Sequence, residues 1–305
     1  MPYKNFLLSL LITSICLILP IFFIPNFKND GTKIFHVKNG ELAGYIFDDL
    51  DNDGLIVSRT GFALYSKLTG TTIKLRAGFY QFPKYASIYT VNKYLTKGIH
   101  PVGALTIIDG MTEKDVNDEI KKAPYLGKTY LSINEIGTLY PDTYQYTYGD
   151  DASMIITRAK TKMSKVVDEL WSKRTKKLPI RRKSQFITVA SILEKEVKNQ
   201  DDMRLAASII YNRLKIRMHL GIDATLIYGQ LHMDDGDNYK DTNGPYNSYK
   251  HYGLPPTPIS FPGMNALNAA AFPDKTDYLY YIAINDVFIP AKTYKEHKEN
   301  IDKYL

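Results

Sequence analysis

Thr188-Val189-Ala190-Ser191-Ile192-Leu193-Glu194-Lys195-Glu196-Val197 is the stretch from which the rest of the chain is read. At about 100° per residue it predicts a helix on which Phe186, Ile187, Ala190, Leu193, Glu194 and Val197 share one arc. Glu194 therefore sits among apolar neighbours. A carboxylate there costs free energy unless it is paired or protonated. Two readings follow. In one, a nearby Arg or Lys satisfies Glu194 and its role is structural. In the other, desolvation keeps it protonated near neutral pH, as a general acid requires. Glu196 falls about 160° away around the helix, so the two carboxylates are not expected in one pocket, and Glu196 is expected on a supporting or outward face.

Working outward, Ser184 is the expected cap of this helix, and the Lys173 to Lys183 stretch before it carries seven basic residues in eleven. Such a run suits lipid head groups, an acidic polymer or a solvated linker. No nucleic-acid-binding motif accompanies it, so no nucleic-acid partner is expected. Ala152 to Trp171 is an amphipathic helix. Downstream, a helix from Met203 to Ile216, opened by Asp201 or Asp202, ends in Tyr211-Asn212-Arg213-Leu214. Asp223-Ala224-Thr225-Leu226-Ile227-Tyr228-Gly229 and Tyr246-Asn247-Ser248-Tyr249 follow. Gly253 to Ser260 is rigid loop because proline fixes φ and removes donors. Asn265 to Ala271 is a short helix, Tyr278 to Ile284 a buried strand, and a terminal helix reaches Tyr304.

Upstream, Leu105 to Ile108 is a strand, and Thr112 with Asp115 forms a capping box opening the helix Glu113 to Lys122. Asn134 to Tyr148 reads as a Tyr-rich loop. Residues 28–102 read as a small mixed unit: strands at Lys33 to Val37 and Ala77 to Phe82, helices at Glu41 to Leu50, Gly61 to Leu68 and Ser87 to Leu95. Asp49 to Gly54 imitates a calcium loop, but Thr60 stands where that loop needs a bidentate Glu, so a helix-ending turn is expected. Phe6 to Ile24 is an uncharged apolar run of 19 residues, enough to cross a core of ~30 Å at ~1.5 Å per residue. It ends without a small-residue cleavage site, so residues 1–27 are expected to be an uncleaved single-pass anchor. Lys4 places the N-terminus on the cytoplasmic side and the body outside.

Composition narrows the chemistry. The 305 residues carry a formal charge of +7, 24 Tyr and a single Cys. One Cys excludes an internal disulfide and any multi-Cys zinc site. Tyr-rich surfaces stack on sugars, and also simply pack. Neither a Gly-x-Ser-x-Gly elbow, a phosphate-binding Gly loop nor a His-Glu-x-x-His pair is present. What remains is one Glu on an apolar helix face followed by loops rich in Tyr, Asn and Pro. That pattern suits acid/base attack on a polar polymer. Hydrolysis of a glycoside ordinarily needs two carboxylates, for which Glu196, Asp223 and Asp142 are the candidates. A single carboxylate suffices if the sugar's own hydroxyl is the nucleophile.

These residues, in this order, resemble the endolytic murein transglycosylase (YceG-like) family. The similar segments are Ala190 to Glu196, Asn212-Arg213-Leu214, Asp223 to Gly229, Tyr246 to Tyr249 and Gly253-Leu254-Pro255-Pro256. Pro262-Gly263, Ala269 to Ala271, Tyr278-Leu279-Tyr280, Ala77 to Tyr80 and Tyr140 to Tyr144 complete them. The mixed strand and helix signals give an α+β class; the resemblance implies an anchor, a LysM-like peptidoglycan-binding unit at 28–102, and a catalytic domain at 103–305. It implies non-hydrolytic cleavage between N-acetylmuramic acid and N-acetylglucosamine in nascent strands, leaving 1,6-anhydro-muramyl ends. Glu194 takes the catalytic position. Arg213, Asp223, Tyr246, Asn247 and Tyr249 are candidate substrate-binding residues, each with a structural role as the alternative. No cofactor and no metal is implied. The implied location is the bacterial cytoplasmic membrane, with the catalytic domain extracytoplasmic, glycan strands as partner and wall synthases as candidate partners. A non-catalytic wall-binding adaptor and a hydrolytic muramidase are the competing expectations. The chain departs from the family pattern at Asn285 to Thr293, which is short, and near Tyr140, where Tyr replaces Trp.

Overall fold

A computed structural model describes residues 19–233, 243–284 and 287–304. It is a mixed α+β structure in which helices dominate and the strands form two-stranded sheets. The backbone divides into two units. The first comprises residues up to 103 with 124–127 and 146–150; the second holds the remainder.

In the first unit, β1 (Ile34–Val37) pairs antiparallel with β2 (Gly78–Gln81), Ile34 opposite Gln81 and Val37 opposite Gly78. The alternation of β1 buries Phe35 and Val37 and leaves His36 exposed, the two-residue period of a strand with one covered face. Helices α1 (Ala43–Asn52), α2 (Arg59–Leu68) and α3 (Ile88–Lys97) supply Phe47, Leu50, Phe62, Ile88 and Leu95 to a core shared with Tyr80 and Phe82. Helix α1 stops at Asn52, with Gly54 at φ +69°, which is the helix-ending turn the sequence suggested. The expected span Phe6–Ile24 lies mostly outside the described residues. Its end, Leu19–Phe23, forms a short 3-10 helix with Phe22 buried and its ring 5.1 Å from that of Tyr65. Among the described residues no helix is long and apolar enough to cross a membrane.

Strands β3 (Val102–Ile107) and β4 (Asp142–Thr147) form another two-stranded sheet. The strand β4 corrects the expected loop at 134–148. It buries Tyr144 and Tyr146 alternately, a period that Pro141 and the surrounding polar residues obscured. Helix α4 (Glu113–Lys122) opens with the expected box, Thr112 N–H donating to Asp115 Oδ2 at 2.8 Å.

Helix α5 (Ala152–Lys173) leads to α6 (Lys183–Glu196), the helix of the opening stretch. Its cap is Arg182, not Ser184: the Gln185 side chain accepts the backbone N–H groups of Arg181 and Arg182 at 2.8 and 3.2 Å. Thr188, Val189, Ser191 and Ile192 are buried as fully as the predicted arc. A helix buried all round is a core helix, here packed against α5, α7 (Gln200–Lys215), α8 (Asp223–Met233) and α9 (Met264–Ala271). Helix α7 starts at Gln200 under an Asn199 cap, a correction of the expected Asp201 or Asp202 start. Its Tyr211, Asn212 and Arg213 bond the carbonyls of Ala270, Thr276, Tyr278 and Leu279, lashing 270–279 to the helix. A separate two-stranded sheet follows, β5 (Tyr280–Ile284) paired antiparallel with β6 (Val287–Ala291), and then α10 (Tyr294–Tyr304). Only Ile282 of β5 is buried, so this strand covers the core instead of lying within it.

Candidate active site

Glu194 lies near the C-terminal end of α6 and is half-buried. Its Oε2 accepts the Gly263 backbone N–H at 2.9 Å. Among the described residues it makes no ion pair; neighbouring Lys195 instead directs its ammonium to the Gly110 carbonyl at 3.3 Å. The structural reading of Glu194 called for an Arg or Lys partner; among the described residues Lys195 acts on it only as a nearby charge. Burial pushes the Glu194 carboxyl above the ordinary Glu range; the Gly263 N–H opposes this, Asp109 adds to it, and Lys195 opposes it. A carboxyl so placed is suited to hold a proton and donate it.

The loop carrying Gly263 is fixed from beneath. Buried Ser191 accepts the Ile259 N–H at 3.0 Å through Oγ, and its carbonyl accepts the Ser260 hydroxyl at 3.1 Å. Phe261 exchanges backbone bonds with Gly110 and Met111, at 2.9 and 2.8 Å. The Ser in Ala190-Ser191-Ile192 is thus a clamp, a role the sequence reading did not assign.

Of the two places expected for Glu196, the supporting one is observed and the outward one is not. Its Oε1 accepts the Ala224 N–H at 3.1 Å and its Oε2 the Tyr281 hydroxyl at 3.0 Å. The first of these lies in the opening turn of α8, where backbone N–H groups and the helix dipole favour an anion. Burial nonetheless raises the Glu196 carboxyl above its ordinary range, against these two bonds and with Asp223 assisting. The helix face is wet only if nothing covers it; α8 and β5, distant in sequence, cover it.

Of the candidate binding residues, Asp223 and Tyr249 meet: the Tyr249 hydroxyl donates to Asp223 Oδ1 at 3.0 Å. Desolvation, with Asp223 next, pushes Tyr249 up to about 12. Arg213 sits behind them, its guanidinium donating to the Leu279 carbonyl at 2.6 Å and to the Leu220 carbonyl. It orients backbone, not a carboxylate. Tyr246 and Asn247 are buried. The Tyr246 hydroxyl meets Thr257 Oγ1 at 2.7 Å, and Asn247 Oδ1 accepts the Tyr249 N–H at 3.1 Å. Both shape the loop that presents Tyr249. Tyr228 is core, its ring 5.1 Å from that of Tyr246. A cavity of about 210 Å³ is walled by Thr112, Lys195, Glu196, Asp223, Ala224 and Tyr228. Glu194 is not among its lining residues; its side chain and that of Lys195 both lie beside Gly110. Among the described residues no His, Cys, Asp and Glu cluster could hold a metal ion.

With this geometry in view, similarity to known proteins can be stated. The chain is similar to a Bacillus subtilis (strain 168) protein named endolytic murein transglycosylase, 30% identical over 92% of this chain and 87% of that one. A Streptococcus pneumoniae (strain D39) protein of the same name is 27% identical over 88% of this chain, which spans 56% of that longer protein. A crystal structure of a yceG-like protein from Listeria monocytogenes superposes with a TM-score of 0.55 and 26% identity, covering 88% of this chain and 98% of that one. The model of the YceG-like family matches residues 35–303, and the chain belongs to that family.

Proposed function

We propose that the protein is an endolytic murein transglycosylase in which Glu194 is the single acid/base. The observation that carries this reading is the half-buried Glu194 carboxyl, held by one backbone N–H and, among the described residues, in no ion pair. In the first step Glu194 gives its proton to the oxygen linking N-acetylmuramic acid to N-acetylglucosamine, and that bond breaks. In the second, the Glu194 carboxylate takes the proton of the muramic 6-hydroxyl as O6 bonds to C1. The product is a 1,6-anhydro end, no water is consumed, and Glu194 is returned protonated. Asp223 and Tyr249, exposed beside the cavity, are the groups best placed to meet sugar hydroxyls. The experiment is digestion of uncrosslinked glycan strands by wild type and Glu194→Gln, read by mass spectrometry. Anhydro ends from wild type alone support the reading; equal release by the variant contradicts it.

The finer reading adds two parts. The first unit is taken as a LysM-like wall-binding module. It holds a cleft of about 340 Å³ walled by His36, Asn39, Phe79, His100, Tyr148 and Asp150. The His36 and Phe79 rings stack at 4.1 Å, a platform of the kind sugar faces pack on. The apolar run ending at Ile24 is taken as a membrane anchor that leaves the body on the extracytoplasmic side. Exposed Ile21, Phe23, Ile24 and Phe27 at the start of the described chain support that placement, since such side chains suit a membrane interface.

A further inference from the structure

We propose that Asp109 is a positioning residue of the reaction centre, set beside Glu194 across Gly263 so that its carboxylate holds the Glu194 proton in place between turnovers. The inference rests on the transglycosylase reading above and extends it to a residue that the sequence did not single out.

Asp109 and Gly110 follow β3, and the backbone bonds between Gly110, Met111 and Phe261 hold this loop against the segment that carries Gly263. A side chain at Gly263 would begin 2.3 Å from Asp109 Cγ and 2.4 Å from either carboxylate oxygen. The Asp109 carboxylate therefore occupies the space a side chain at Gly263 would need. The N–H of the same Gly263 is the hydrogen-bond donor to Glu194. On the near side, a Cβ on Gly110 would lie 3.6 Å from Glu194 Cγ. Glu194 and Asp109 thus flank one glycine, with a second glycine closing the gap. Such close approach explains glycine at 263, while at Gly110 the backbone conformation, φ +82°, is what favours glycine.

Two charges act on Glu194. Asp109 comes from the β3–α4 loop and favours the protonated form; Lys195, on the same helix, favours the ionised form. The segment carrying Gly263 contributes only its N–H. Asp109 is exposed, so solvent tempers its field, and burial is the larger cause of the raised Glu194 carboxyl. The residual field serves both halves of the reaction. It keeps the proton on Glu194 until the glycosidic oxygen takes it. It then makes the Glu194 carboxylate a stronger base toward the 6-hydroxyl. Partial burial raises the Asp109 carboxyl above the ordinary Asp range; it acts in its ionised form, neither gives nor takes a proton in the reaction, and no further reactant is needed.

The test is the pH profile of kcat/KM for the full chain on uncrosslinked glycan strands, with anhydro product confirmed by mass. Asp109→Asn is expected to move the alkaline limb toward acid, lowering kcat/KM roughly 3- to 10-fold above neutral pH while sparing the acidic side. Gly263→Ala, which forces the carboxylate aside, is expected to move the limb the same way. Lys195→Gln is expected to move it toward alkali, and Asp109→Glu to keep the wild-type limb. An Asp109→Asn profile unshifted in pH, or lowered uniformly across it, overturns the proposal. Should that variant fail to fold, an unshifted Gly263→Ala limb does the same. Wild type that makes no anhydro ends contradicts the transglycosylase reading instead, so the two failures are distinguishable.

Discussion

At Glu194 the surroundings, more than the residue type, set the chemistry. A carboxyl that is half-buried without a cation keeps its proton to higher pH. Glu194 and Glu196 share a direction, and the sign for stability follows. Both folded values lie above the unfolded one. Their contribution is therefore fully present below the ordinary Glu range and is lost as pH rises through the raised folded values. The melting temperature of wild type is expected to fall on that side, and Glu196→Gln to show a smaller fall; identical curves would contradict the assignment. With Glu194 as the proposed acid, the activity limb is expected to decline in the same direction, because the acid form is the one consumed. The arc that placed Glu194 among apolar neighbours was legible in the sequence, because it is a local helical period. The cover over Glu196 was not, because Ala224 and Tyr281 lie 28 and 85 residues further along the chain. Asp109 escaped for the same reason: its meaning comes from Gly263.

The elements around the site are fixed by few contacts, which makes them testable singly. Ser191 serves α6 and the 259–260 loop at once, donating from Oγ to Thr188 and accepting from Ile259. Ser191→Ala leaves the buried Ile259 N–H without its acceptor, a loss of about 1–3 kcal/mol. Chemical denaturation is expected to show that drop together with lower kcat, because Gly263 sits only a few residues beyond. Full stability in the variant would remove the clamp from the account. Helix α6 itself was readable from period and composition. Its cap was misread because Gln185 reaches back to the backbone where a serine hydroxyl was expected. Strand β4 was hidden by Pro141 and by the polar residues between its tyrosines. Helix α8 gave no amphipathic signal, since Leu226 and Tyr228 are buried while Ile227 and Leu231 are exposed.

On the scale of the whole molecule, the α+β class followed from the mixture of strand and helix periods. The order of small sheets did not, because pairing such as Ile34 with Gln81 is set by long-range closure. The first unit has its own core and its own cleft, so binding can be weakened without touching the chemistry. His36→Ala, at an exposed position, is expected to reduce retention on insoluble peptidoglycan several-fold while soluble strands are still cleaved. Unchanged retention would remove the cleft from the wall-binding reading. The full chain is expected to stay with membranes through a high-salt wash, and release by salt alone would replace the anchor with an electrostatic association driven by the net charge of +7. The central claim, one carboxyl and the substrate's own hydroxyl, is tested most directly by the mass of the new ends. Glycan strands cleaved by wild type are predicted to end in muramyl residues lighter than their hydrolysed counterparts by one water, with Glu194→Gln producing none. Ends that carry the water, made by wild type and lost in Glu194→Gln, would contradict it.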